Sequence, residues 1–142
     1  MKIPGITHFE LEELVDPVTF RQYGANSIWF LNMPMVKCLD RLRIAIGPIT
    51  INNWMDGGPL DLSGLRPPDC KIGAFRSQHK RGGAFDTHPQ HITPQELFEH
   101  IMHDRTLYPE ITAIEDIAKT PGWLHIDNRW TNQADILIVE PN

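Results

Sequence analysis

Ile111-Thr112-Ala113-Ile114-Glu115-Asp116-Ile117 and Trp123-Leu124-His125-Ile126-Asp127 are two short runs rich in apolar and β-branched residues, separated by a few turn-forming residues ending at Pro121-Gly122. Such runs read as strands, and a connection this short has room for a turn but not for a crossover helix. The two are therefore a hairpin, with Lys119 to Gly122 as its turn. A turn centred near Thr120 sets Glu115 opposite His125 on one face of the sheet. A slip of one residue would reverse the faces. Alternation along the second strand sends Leu124 and Ile126 to one side, and Trp123, His125 and Asp127 to the other. A third run, Asp135 to Val139, follows a connection that is again short.

Working back from the hairpin, Thr93-Pro94-Gln95-Glu96 carries a capping threonine, a proline at the first helical position and a glutamate placed to close a capping box. A helix begins there and runs to about His103, with Leu97, Ile101 and Phe98 inward. Further upstream, Met35, Leu39, Leu42 and Ile46 recur at helical spacing between Pro34 and Ile46, and Gly47-Pro48 ends that helix. Ile49 to Trp54 reads as a strand. Met55 to Arg76 is rich in Gly, Pro, Asp and Ser, yet its embedded Leu60, Leu62, Leu65, Ile72 and Phe75 favour an ordered loop. Helices first and strands last predict an α+β fold, a small, mainly antiparallel sheet with helices packed on one side.

The chemistry concentrates in Ser77-Gln78-His79-Lys80-Arg81-Gly82-Gly83-Ala84-Phe85-Asp86. Imidazole nitrogen and carboxylate oxygen are both good zinc ligands, and the small residues between His79 and Asp86 let the backbone curl until both reach one ion. A catalytic zinc takes three protein ligands and keeps a fourth position open. His125, on the polar face of its strand, is the leading candidate for the third. His88 with His91 and His100 with His103 also sit close together, but a polar rim and a solvated helix face account for them better than a second metal.

Ser77-x-His79-x-x-Gly82-x-Ala84-x-Asp86 followed by Trp123-x-His125 resembles the zinc D-Ala-D-Ala carboxypeptidase family, which includes phage endolysin peptidases and shares its fold with hedgehog signalling domains. Ser63-Gly64-Leu65-Arg66 resembles that family's Ser-Gly-Tyr-Arg segment, and the likeness spans roughly Ile49 to Asp127. It implies one Zn2+ per chain held by His79, Asp86 and His125, with a nearby carboxylate as general base. Several relatives place a glutamate three residues before the last histidine, where this chain has Gly122. Glu115 is then the first choice of base, Asp127 the second and Asp116 the third. The resemblance also implies that Arg66 and Ser77 bind substrate, with Arg76 a rival to Arg66. Trp123 has the best claim to a substrate wall.

The 142 residues, 41% hydrophobic, suffice for one core and a single domain over 1–142. A formal net charge of -5 argues against a nucleic-acid partner, which would need a basic face. Two cysteines make no disulfide framework, and no apolar run approaches the length of a membrane span. Met1 to Glu10 lacks the pattern of a signal peptide, so synthesis in the cytoplasm is expected, with action at the bacterial cell wall through phage lysis or the virion. The expected activity is a zinc metallopeptidase hydrolysing peptidoglycan peptides, with other phage proteins as further partners. The alternative is a non-catalytic, zinc-stabilised phage structural or binding module of the same fold.

Overall fold

Helix boundaries in the structure, a computed structural model describing residues 1–141, fall where side chains can satisfy the backbone groups left open at helix ends. The short α1 (Leu11–Leu14) opens with a capping box between Glu10 and Glu13. The Asp16 carboxylate accepts from Thr19 N at 2.8 Å to start α2 (Pro17–Tyr23). The Asn32 side chain accepts from Met35 N at 3.1 Å to start α3 (Met33–Ile46), which ends at Gly47 with φ +85°. At α4 (Pro94–His103) the anticipated capping box is present: Glu96 N donates to Thr93 Oγ1 at 3.1 Å, and Thr93 N donates to Glu96 Oε1 at 3.2 Å.

The strands are β1 (Ile49–Thr50), β2 (Ala84–Pro89), β3 (Ala113–Glu115), β4 (Leu124–Asp127) and β5 (Leu137–Val139), forming one open sheet in the order β1-β2-β4-β3-β5. The chain is thus α+β with a mostly antiparallel sheet. β3 and β4 pair with Ala113 opposite Asp127 and Ile114 opposite Ile126, the register that brings Glu115 level with His125. β2 pairs with the other side of β4, setting Asp86 opposite His125. The one parallel pair is β3 with β5. It needs no crossover helix, because β5 follows β4 rather than β3: the chain leaves the end of β4, passes the adjacent end of β3 and runs back alongside it.

Two strand expectations differ from what is observed. The strand anticipated over Ile49 to Trp54 stops at Thr50. Beyond it the chain docks on α1 and the residue after it: Asn52 N donates to Glu13 O at 3.0 Å, and Asn52 Nδ2 and Trp54 Nε1 both donate to Val15 O. These bonds replace a sheet ladder. Conversely, the stretch read as a ligand-bearing curl becomes strand β2 from Ala84 onward.

One face of the sheet is apolar. Phe85 of β2, Ile114 of β3 and Leu124 and Ile126 of β4 share a continuous core with Met35, Leu39 and Leu42 of α3 and Leu97 and Ile101 of α4. Each apolar side chain buried there stabilises by about 1.5–3 kcal/mol. Strand alternation leaves Asp86, Glu115, His125 and Asp127 on the opposite face. Asp40, buried on α3, accepts from Thr7 N at 3.0 Å and His8 N at 2.8 Å and so ties the leading segment to the core. No helix among the described residues is long and apolar enough to cross a membrane.

Candidate metal centre

His79 lies in a single 3-10 turn, Gln78–Arg81, whose first backbone groups are met by Ser77: its Oγ accepts from His79 N at 3.3 Å. The turn ends at Gly82 with φ +71°, a conformation that side chains with a Cβ resist. A Cβ at Gly82 would also stand 1.9 Å from Phe30 O and 2.9 Å from Leu31 Cα. Glycine is required here on both counts. The reversal directs the chain into β2, where Asp86 faces His125 across the ladder.

Three ligand atoms converge. His79 Nε2 lies 3.2 Å from His125 Nδ1 and 3.3 Å from Asp86 Oδ1, and His125 Nδ1 lies 2.9 Å from Asp86 Oδ1. Ligands about 2.0–2.2 Å from a tetrahedral zinc sit roughly 3.3–3.6 Å apart, so this triangle is only slightly tighter than an occupied site requires. The outer nitrogens are fixed by other partners. His79 Nδ1 donates to Gly64 O at 2.8 Å, and His125 Nε2 donates to Asp127 Oδ2 at 2.8 Å. With protons held on the outside, each imidazole turns a lone pair inward, and the third inward atom is a carboxylate oxygen. Three acceptors within hydrogen-bond range of one another need a cation between them or an extra proton. The donor set thus fits a metal ion, and His79, Asp86 and His125 form the one cluster of this kind among the described residues.

The charge that this arrangement calls for can also come from a proton. Burial alone would lower His125, but its hydrogen bonds to Asp127 and Asp86 outweigh that and push its pKa up to about 9. His79 is held below its ordinary value by burial. Burial works against ionised Asp86, yet its bonds to the two imidazoles keep it well below the usual carboxylate range. The raised value favours a proton on His125, between the two carboxylates, at neutral pH.

Above the triad opens a cavity of about 220 Å3 walled by Arg66, Arg76, Ser77, Glu115, Trp123 and Arg129. Glu115 Oε1 lies 3.8 Å from His125 Nδ1, and burial raises the Glu115 pKa. Asp116, on the other side of the strand, accepts from Ala118 N at 3.1 Å and does not line the cavity. Asp127 stands behind His125 and is fully buried, with Arg129 donating from Nε to Oδ1 at 2.8 Å and from Nη2 to Oδ2 at 2.5 Å. Those bonds leave it no free face toward the cavity.

Arg66 is engaged as well. Its Nη2 donates to Asp86 Oδ2 at 3.1 Å and its Nε to Leu62 O at 2.7 Å, so it holds the carboxylate that presents Oδ1 to the triad. Arg76 is exposed on the cavity wall. Gly122, where relatives of the resembled family carry glutamate, has open space around it. His88 bonds Thr50 O and His100 bonds the Tyr108 hydroxyl, both away from the triad. The sequence reading missed Arg129 and the Gly64 carbonyl. Arg129 was within reach, since carrying the alternation of β4 two residues further places it beside Asp127. No pattern marks a backbone carbonyl as the partner of His79. No family model matches the chain, and neither does any curated protein or solved structure.

Proposed function

We propose that the chain is a zinc-dependent peptidase of the D-Ala-D-Ala carboxypeptidase type, hydrolysing D-Ala-containing stem or cross-link peptides of peptidoglycan. The observation that carries this reading is the placement of Glu115 beside an inward-facing His2Asp triad at the floor of an open cavity. Under this reading the α+β fold is that of the peptidase and hedgehog domains, and the site of action is the bacterial wall, reached through phage lysis or the virion. The motif Ser77-x-His79-x-x-Gly82-x-Ala84-x-Asp86 supports it from the sequence side.

Zinc held by His79, Asp86 and His125 would supply Lewis acidity, polarising the scissile carbonyl and lowering the pKa of a water toward about 7. Glu115 accepts the proton that the attacking water releases and returns it to the departing amine. Its raised pKa suits a group that must take up a proton and give it back. Arg66 keeps Asp86 turned so that one oxygen serves the triad. Trp123, partly exposed on the cavity wall, offers an apolar surface to the peptide. Arg76 is free to meet a substrate carboxylate through its fork of donors.

A second reading, a zinc-stabilised structural or binding module, draws on Gly122 standing where relatives of the resembled family carry a glutamate. Zinc content, measured with release of peptides from purified peptidoglycan by wild type and Glu115→Gln, separates the two. The peptidase reading expects one zinc per chain in both proteins, with turnover lost in the variant by about 100-fold or more. Zinc-loaded wild type that cleaves no wall type would favour the structural module, and wild type that binds no zinc would remove both.

A further inference from the structure

We propose that Asp127 and Arg129 form a positioning pair, which selects the nitrogen that His125 offers to the metal and sets how tightly the metal is held. This rests on the reading of His79, Asp86 and His125 as metal ligands, and it assigns Asp127 a role other than general base. All the close bonds of the Asp127 carboxylate are internal: Oδ1 accepts from Arg129 N at 3.0 Å and Arg129 Nε at 2.8 Å, and Oδ2 accepts from His125 Nε2 at 2.8 Å and Arg129 Nη2 at 2.5 Å. The residue is 0% exposed. A carboxylate so enclosed has no oxygen to offer a water in the cavity, so it cannot serve as the base.

Its geometry suits a different task. His125 stands between two carboxylates, with Asp86 Oδ1 2.9 Å from Nδ1 and Asp127 Oδ2 2.8 Å from Nε2. Either could draw the single proton of a neutral imidazole. A proton drawn to Nδ1 would occupy the position at which the ligand triangle closes, and a proton drawn to Nε2 leaves the lone pair facing inward. The side-on fork of Arg129 fixes the plane of the Asp127 carboxylate and holds it to the second outcome. Outer partners of this kind raise ligand basicity, and losing one costs about 10- to 100-fold in metal affinity.

Zinc affinity measured by chelator competition on wild type, Asp127→Asn, Arg129→Lys and the double variant tests the pair, with far-UV circular dichroism as the check on folding. Asp127→Asn should weaken zinc by about 10- to 100-fold. Arg129→Lys keeps the charge but not the fork and should lose less, and the double variant should be no weaker than Asp127→Asn because Arg129 acts through Asp127. Nitrogen-resolved NMR of the zinc-loaded wild type should find His125 protonated on Nε2 and His79 on Nδ1. Unchanged affinity in Asp127→Asn, additive losses in the double variant, or lost turnover with zinc binding intact would each overturn the proposal. If Asp127→Asn does not fold, Arg129→Lys decides, with wild-type affinity counting against the pair. A wild type that binds no zinc would defeat the metal reading itself, a result distinct from all of these.

Discussion

Each imidazole of the triad is gripped from behind, His79 by a backbone carbonyl and His125 by a buried carboxylate. The difference matters, because burial lowers both rings and Asp86 faces both, but only His125 has a second carboxylate, Asp127, to favour the charged form. His125 therefore carries a raised pKa of about 9 while His79 is lowered. Protonated His125 stabilises the metal-free fold fully below its ordinary pKa of about 6.5, and that contribution is lost as pH rises through about 9. A metal ion bound by His79, Asp86 and His125 would have to displace the same proton, so its binding would run the other way. Apparent zinc affinity should climb with pH by up to about tenfold per unit and level off above about 9, while the metal-free protein melts at progressively lower temperature between pH 6.5 and 9. Competition titrations and thermal melts across that interval check both halves, and an affinity that does not depend on pH would refute the proton-for-metal exchange. His79 and Asp86 were legible in the sequence because their seven-residue spacing is a local signal, and His125 because alternation puts it on the polar face of its strand. That a proton competes for the position was not legible, since it depends on Asp127 and Asp86 closing on His125 from opposite sides.

At the scale of elements, what the sequence declares depends on how local the cause is. The Thr93–Glu96 capping box and the Gly47 stop are written within a few residues, and both helix ends fall where they were expected. The β3–β4 register was legible for the same reason, its turn lying inside the stretch that pairs. β2 was not, because its strand character comes from pairing with β1 and β4, distant in the chain. α1 and α2 escaped too: four and seven residues are too few for a helical period to show. Thr93→Ala removes a side-chain acceptor from the start of α4 on the exposed side of the molecule and should cost about 1 kcal/mol of stability, read by denaturant unfolding. Its zinc affinity should equal that of wild type, since α4 buttresses the apolar face of the sheet and contributes no residue to the cavity wall.

For the whole molecule, the sheet divides the labour, one face supplying burial and the other the triad. An ion on the second face joins β2, β4 and the 3-10 turn at once, so its binding energy becomes folding energy. With free zinc at about 1,000 times its dissociation constant the gain is about 4 kcal/mol, and for a domain of this size roughly 3–5 °C per kcal/mol raises the Tm by roughly 12–20 °C. Calorimetry with and without a chelator measures it, and an unchanged Tm would show that no ion binds the native state selectively. The triad is also spread along the chain, with Asp86 seven residues beyond His79 but His125 a further 39 residues on. During synthesis two ligands leave the ribosome well before the third, and the position they share does not exist until β4 has emerged and aligned with β2. A nascent chain that has not yet reached β4 therefore has no complete centre to fill, and a metal ion would be committed only to copies in which β2 and β4 have already paired.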